Sequence, residues 1–133
     1  MNRDWRGMLW SGLVVGVFGA AGVAAARDTA PRINDFTQIL ASDLPREGRE
    51  TLSLIRKGGP YPYAKDDTIF SNRERILPIQ PRGFYHEFTV KTPRSRDRGA
   101  RRIICGGKAG KQQVLETCYY TEDHYASFKQ IKE

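Results

Sequence analysis

The chain has 133 residues, two cysteines and a formal net charge of +7, from 22 Lys+Arg against 15 Asp+Glu. That length suffices for one hydrophobic core and leaves little room for a second domain. There is no CxxC pair and no HExxH, which argues against zinc-ribbon and zincin chemistry, and the basic excess fits a polyanion such as nucleic acid, acidic glycan or membrane, or simply a solvated basic surface.

At the N-terminus, Arg3 and Arg6 precede an apolar, Gly/Ala-rich run from Met8 to Val23 that ends in Ala24-Ala25-Ala26. This is the pattern of a cleaved signal peptide over residues 1–26. A membrane anchor is the rival reading, because the run approaches the roughly 20 residues that span a bilayer, but four glycines and the small-residue cleavage site weaken it. Cleavage removes Arg3, Arg6 and Asp4, so residues 27–133 keep 20 Lys+Arg against 14 Asp+Glu, a net charge of +6. No internal repeat divides these 107 residues, and a single domain is expected. In an exported chain, Cys105 and Cys118 are expected to form a disulfide.

Residues 27–32 read as a lead-in, and Ile33, Phe36, Ile39 and Leu40 recur at a spacing that predicts a short helix. A stronger helix follows Asp43: Pro45 suits its first position, Leu52 and Ile55 share a face, Arg56 and Lys57 fall in the last turn, and Gly58-Gly59 ends it. Turn chemistry follows in Gly-Gly-Pro-Tyr-Pro-Tyr and Lys65-Asp66-Asp67. From Gly83 to Val90 the chain alternates. Tyr85, Glu87 and Thr89 share one face, and Phe84, His86, Phe88 and Val90 the other, so Glu87 is expected to point away from the greasier side. Further strands are predicted over 101–105, 117–121 and 126–131, joined by Gly106-Gly107 and a Glu122-Asp123 turn. Helices followed by an antiparallel meander read as α+β.

Three segments carry chemistry: Glu87 in Tyr-His-Glu-Phe, the arginines from Arg94 to Arg102, and Asp123-His124-Tyr125. Cutting RNA without a metal needs a base for the ribose 2′-OH, an acid for the departing 5′-oxygen and fixed cations for the phosphorane charge. Glu87, His124 and the pair Arg98 and Arg102 match those roles in that order. Read alone, Glu87 is also consistent with a strand glutamate paired to an arginine. A lone histidine is commonly structural, the assignment given to His86. No cofactor is expected.

Four motifs, Phe70-Ser-Asn-Arg-Glu-Arg-Ile-Leu-Pro78, Tyr85-His-Glu-Phe-Thr-Val-Lys-Thr-Pro93, Arg98-Gly-Ala-Arg-Arg-Ile103 and Tyr119-Tyr-Thr-Glu-Asp-His-Tyr-Ala-Ser-Phe128, occur in an order that resembles the microbial guanyl-specific ribonucleases. The streptomycete branch looks nearest, with barnase more distant. The resemblance spans roughly Leu44 to Phe128 and implies a helix packed on a twisted antiparallel sheet. It places the general base on Glu87, the general acid on His124 and the phosphate arginines on Arg98 and Arg102. The guanine loop falls on Phe70, Ser71, Asn72, Arg73 and Glu74, with the Glu74 carboxylate on the base edge. Tyr125 would contact the phosphate or the base, and Phe70 and Tyr125 are the candidates to stack on the base faces.

The implied enzyme is a secreted endoribonuclease that cleaves single-stranded RNA 3′ to guanosine through a 2′,3′-cyclic phosphate. An inhibitor protein in the producing cell is a partner to look for. The protein is expected to be a monomer with no membrane contact after signal cleavage. A noncatalytic polyanion-binding protein of the same fold is the alternative. Two departures stand out: the streptomycete enzymes tend to tie their chain ends with the disulfide, whereas Cys105 and Cys118 flank an insertion, and Arg94 and Arg96 stand where smaller residues are common.

Overall fold

The structure, a computed structural model, describes residues 35–107 and 115–133 together with Gly16 and Gly19. Apart from those two glycines, the predicted export segment lies outside the described residues, as do the lead-in, Ile33 and residues 108–114 between the cysteines. Among the described residues, no helix is long and apolar enough to cross a membrane.

Strand-forming runs with opposed apolar faces place their two sets of side chains in two separate cores. The strands are β1 (Gln38–Leu40), β2 (Thr68–Ile69), β3 (Tyr85–Thr89), β4 (Arg102–Gly106), β5 (Thr117–Thr121) and β6 (Lys129–Lys132). They form one sheet in the order β1-β6-β5-β4-β3-β2, antiparallel throughout except for the β1–β6 pair. One helix, α1 (Arg46–Lys57), packs on one face, so the architecture is the expected α+β.

Helix α1 buries Gly48, Thr51, Leu52 and Ile55 and ends at Gly58, whose φ of 77° is the left-handed geometry that glycine adopts without penalty. Pro45 caps the helix from an extended conformation instead of occupying its first turn, a shift of one position from expectation. Leu44, Leu52 and Ile55 meet Phe88, Val90, Ile103 and Tyr120 from the sheet. The Thr51 hydroxyl lies 3.0 Å from the carbonyls of both Glu47 and Thr89, which ties the helix to the end of β3.

The other face carries its own apolar layer, with Leu77, Tyr85, Ile104, Tyr119 and Phe128 at its centre. Glu87 therefore does not face a purely polar side. It stands beside this second layer, because Leu77 and Phe128 from the loops pack onto Tyr85, Ile104 and Tyr119 on that face. Phe84 belongs here too and not with Phe88, since it precedes β3 and packs edge-on against Tyr85.

The first predicted helix is a correction. Residues 38–40 are strand β1, paired in parallel with Gln130, Ile131 and Lys132, and residues 41–43 form a single 3-10 turn. Phe36 packs with Tyr119 on one side of the sheet while Ile39 packs with the helix-side core, and a single helical face could not reach both. The last predicted strand also begins later, at Lys129, because Ser127 is held in the Asp123 turn and Phe128 packs into the second layer.

Cys105 and Cys118 stand directly opposite each other across β4 and β5 and are bonded, as expected. Replacing both by alanine opens a crosslink between residues 13 apart. It should lower the unfolding free energy by about 2 to 3 kcal/mol, read from urea denaturation. An unchanged midpoint would show that strand pairing alone closes this hairpin.

Candidate active site

Register builds the site. Thr89 on β3 faces Arg102 on β4, which faces Thr121 on β5, so these three side chains form one cross-strand row on the face away from α1. Two residues back along β3, Glu87 shares that face.

Each end of the row grips a loop. The Thr89 hydroxyl accepts from Arg98 Nε at 3.1 Å and from Nη2 at 3.0 Å, which aims the guanidinium so that Nη2 also donates to Glu87 Oε1 at 3.0 Å. Arg98 itself lies on a turn stapled by Asp97, whose carboxylate accepts from the Ser95 hydroxyl and the Gly99 amide. Those bonds, led by the Ser95 contact, hold the Asp97 carboxyl below its ordinary range. At the other end, the Thr121 hydroxyl accepts from the Tyr125 amide and donates to Asp123.

Between these loops Arg102 is 2% exposed. Its Nη1 donates to the carbonyls of Arg101 and Gly99, at 2.7 and 3.0 Å, while Nε is buried with no partner. A buried, unpaired guanidinium donor is costly unless an acceptor arrives to meet it.

His124 and Tyr125 both adopt left-handed conformations, with φ of 53° and 72°. Two consecutive non-glycine residues there are strained and need outside support. Asp123 supplies part of it by accepting from the Ser127 amide, the Ser127 hydroxyl and Thr121; the His124 amide supplies more by donating to the Ala100 carbonyl at 3.0 Å. The result is an exposed His124 ring with no hydrogen bond to protein among the described residues, 4.7 Å from the ring of Tyr125.

Tyr125 closes the arrangement. Its hydroxyl donates to Glu87 Oε2 at 3.1 Å, and Arg102 Cζ lies 5.9 Å from its ring centre. Burial first, then the Glu87 charge, raises its pKa, so the phenol keeps the proton it donates. Each oxygen of Glu87 thus has one donor, Arg98 on one side and Tyr125 on the other, and the side chain is 14% exposed.

The predicted base loop lines a cavity of about 150 Å³ beside Tyr125, with Phe70, Ser71, Asn72, Arg73 and Glu74 all in its wall. Asn72 makes the loop rigid. Its φ is 51°, and its side-chain amide both donates to the Leu77 carbonyl and accepts from the Leu77 amide. Glu74 is exposed and has no partner among the described residues.

The expectation that Phe70 and Tyr125 cover opposite faces of a base is not met in this arrangement. Their rings stack directly on each other with centres 5.1 Å apart and an interplanar angle of 29°. A base between them would need about twice the ~3.5 Å contact distance.

Tyr125 is the residue through which the predicted set meets: it contacts Glu87, Arg102, His124 and Phe70, Arg98 joins through Glu87, and Glu74 is placed with them only as part of the cavity wall. His86, expected to be structural, bonds through Nδ1 to Asp67 and takes no part. Sequence reasoning missed Thr89, Thr121 and Asp66, whose carboxylate accepts from the Thr89 amide at 2.8 Å. Their roles follow from register and had no local signal; for the Arg98 loop, the unread Ser95-x-Asp97-x-Gly99 pattern is one from which a carboxylate-capped turn could have been found. Among the described residues, no three His, Cys, Asp or Glu side chains converge in a metal-ligand cluster.

Fold and site together define a small α+β protein whose carboxylate, arginines and histidine suit phosphoryl transfer. The ribonuclease family model matches residues 26–132, and the chain belongs to the microbial guanyl-specific ribonuclease family. Guanyl-specific ribonuclease St of Saccharopolyspora erythraea is 53% identical over 94 residues, covering 71% of this chain and 86% of that protein. Guanyl-specific ribonuclease Sa of Kitasatospora aureofaciens is 48% identical over 93 residues, covering 70% and 91%. Among solved structures, ribonuclease Sa2 with mononucleotides superposes with a TM-score of 0.67 at 44% identity, covering 74% of this chain and 95% of that one. Ribonuclease Sa2 with guanosine-2′-cyclophosphate gives 0.64 at 43% identity, covering 73% and 96%.

Asp123 yields a pH test. Its hydrogen bonds, those from Ser127 foremost, lower its pKa to about 2. A depressed carboxyl stabilises the fold above its unfolded value of about 3.9, and that contribution is lost as pH falls from there towards about 2. Asp123→Asn should therefore weaken the protein at neutral pH and flatten the acid limb of its stability curve. An acid-unfolding curve with the same slope as wild type would show that the turn holds without this charge.

Proposed function

We propose that the mature chain, residues 27–133, is a secreted endoribonuclease that cleaves single-stranded RNA on the 3′ side of guanosine without a metal. The observation that carries the chemistry is Glu87, held between the Arg98 guanidinium and the Tyr125 hydroxyl on the face that also presents Arg102 and His124. Export rests on the Arg3–Ala26 pattern alone.

In the first step Glu87 takes the proton of the ribose 2′-OH, the freed oxygen attacks phosphorus, and His124 protonates the departing 5′-oxygen. This leaves a 2′,3′-cyclic phosphate. In the second step His124 takes a proton from water, the water oxygen attacks phosphorus, and the bond to the 2′-oxygen breaks as Glu87 returns its proton there. Arg98 and Arg102 supply the fixed positive charge beside Glu87 and Tyr125 for the charge that builds on the phosphoryl oxygens, and a guanidinium remains charged throughout. Because the nucleophile is the 2′-OH, DNA can bind but cannot be cut.

Guanine preference falls to the Phe70–Glu74 loop. Guanine offers two adjacent donors, N1–H and N2–H, and the unpartnered Glu74 carboxylate can accept both. The base must displace the Tyr125 ring from Phe70 to enter, which also frees one oxygen of Glu87 for its proton transfer.

Glu87→Ala and His124→Ala should each lower GpU turnover by roughly 10² to 10⁴ while the far-UV spectrum stays native, and a chelator should change nothing. Full activity in either folded variant would overturn the proton-transfer roles assigned here, whereas a wild type that leaves GpU uncut would favour the noncatalytic polyanion binder. Glu74→Gln keeps the side-chain size but sets an amide donor against a guanine donor, a mismatch worth about 1 to 3 kcal/mol. GpU cleavage should fall about tenfold with ApU cleavage little changed; an equal loss on both would make Glu74 structural.

A further inference from the structure

On the outer side of the Phe70–Arg73 loop lies a second cavity, of about 630 Å³, that the chemistry above does not use. The two cavities share Phe70 to Arg73 and so adjoin at one loop. Arg73, Arg75 and Arg82 line the outer one, with no acidic side chain among its lining residues. All three arginines are exposed and none is ion-paired among the described residues.

A solvated basic surface would account for the arginines alone. It does not account for Ile69 and Ile79, which line the same cavity and are 53% and 54% exposed, two of the three large apolar side chains left open on the described surface. Cations interleaved with open apolar side chains fit a ligand with an anionic group and a flat apolar face, which describes a nucleotide.

Position selects which nucleotide. The cavity reaches Tyr85 at the start of β3, whereas the Arg98–Thr89 contact is at the other end of that strand and Glu87 lies between. A guanosine in the inner cavity sends its 3′-phosphate towards Glu87 and Arg98. Its 5′ side then leaves in the opposite direction, across the shared loop. β2, which carries Ile69, is the outermost strand there.

We infer that the outer cavity is a subsite for the nucleotide on the 5′ side of the cleaved guanosine. Arg75 and Arg82 hold its phosphate, and Ile69 and Ile79 take its base or sugar by apolar contact. This rests on the ribonuclease reading above and extends it from a single base to a longer RNA.

The test compares kcat/KM for GpU and for ApApGpU, in the full chain and in the Arg75→Gln, Arg82→Gln double variant, which removes charge and keeps length. The 5′ extension should raise wild-type kcat/KM about tenfold or more, as a charge-assisted phosphate contact implies. The double variant should lose that gain with GpU unchanged. On ApApGpU, its log kcat/KM should fall less steeply with log salt, by about 0.7 per phosphate contact removed. Equal wild-type cleavage of both substrates, or a gain that survives the double variant, overturns the subsite alone. Equal loss on both substrates in the variant assigns the arginines to the fold and also overturns it. A wild type that cleaves neither substrate overturns the ribonuclease reading and the subsite with it.

Discussion

The site depends on one row of side chains across three strands: Thr89, Arg102 and Thr121. Its two hydroxyls hold the loops that carry Arg98 and Tyr125, and its buried guanidinium lies between them. A shift of one residue in either register would turn Arg102 or a threonine to the helix side and separate the loops. The Cys105–Cys118 bond pins the register of β4 on β5, three residues along from Arg102 and Thr121. Precision at the site therefore begins with strand pairing and not with the loops themselves.

The helix contributes from the other face. Thr51 contacts the Thr89 carbonyl while Asp66 accepts from the Thr89 amide, so this residue is fixed through both backbone groups before its hydroxyl meets Arg98. Strain sits where the exposed ring is needed. His124 and Tyr125 keep left-handed backbones because Asp123, Thr121 and the Ala100 carbonyl together hold that turn. The same loops enclose the second apolar layer, which keeps Glu87 largely away from water without burying it.

Much of this was legible in the chain. Period-two alternation from Gly83 to Val90 placed Glu87 on the correct face, and Arg56-Lys57-Gly58-Gly59 marked the helix end. The motifs that resemble the ribonucleases pointed to Glu87, Arg98, Arg102, His124 and the Phe70–Glu74 loop, which the fold brings to one side. What escaped depends on long-range pairing. Strand β1 has three residues and exists by pairing with β6 more than ninety positions away, so Phe36, Ile39 and Leu40 were open to a helical reading. The supporting role of Thr89 requires knowing that it lies opposite Arg102. The Phe70–Tyr125 stack was equally hidden, since two aromatics 55 positions apart can flank a ligand or each other.

The central claim is that Glu87 and His124 move protons, and the pH dependence of kcat/KM for GpU tests it most directly when wild type is compared with each alanine variant. The base must be ionised and the acid protonated in the free enzyme, so the wild-type profile should be bell-shaped. Glu87→Ala should lose the acid limb and keep the alkaline one; His124→Ala should do the reverse. A flat wild-type profile, or a variant that keeps the limb assigned to its missing residue, would contradict the account.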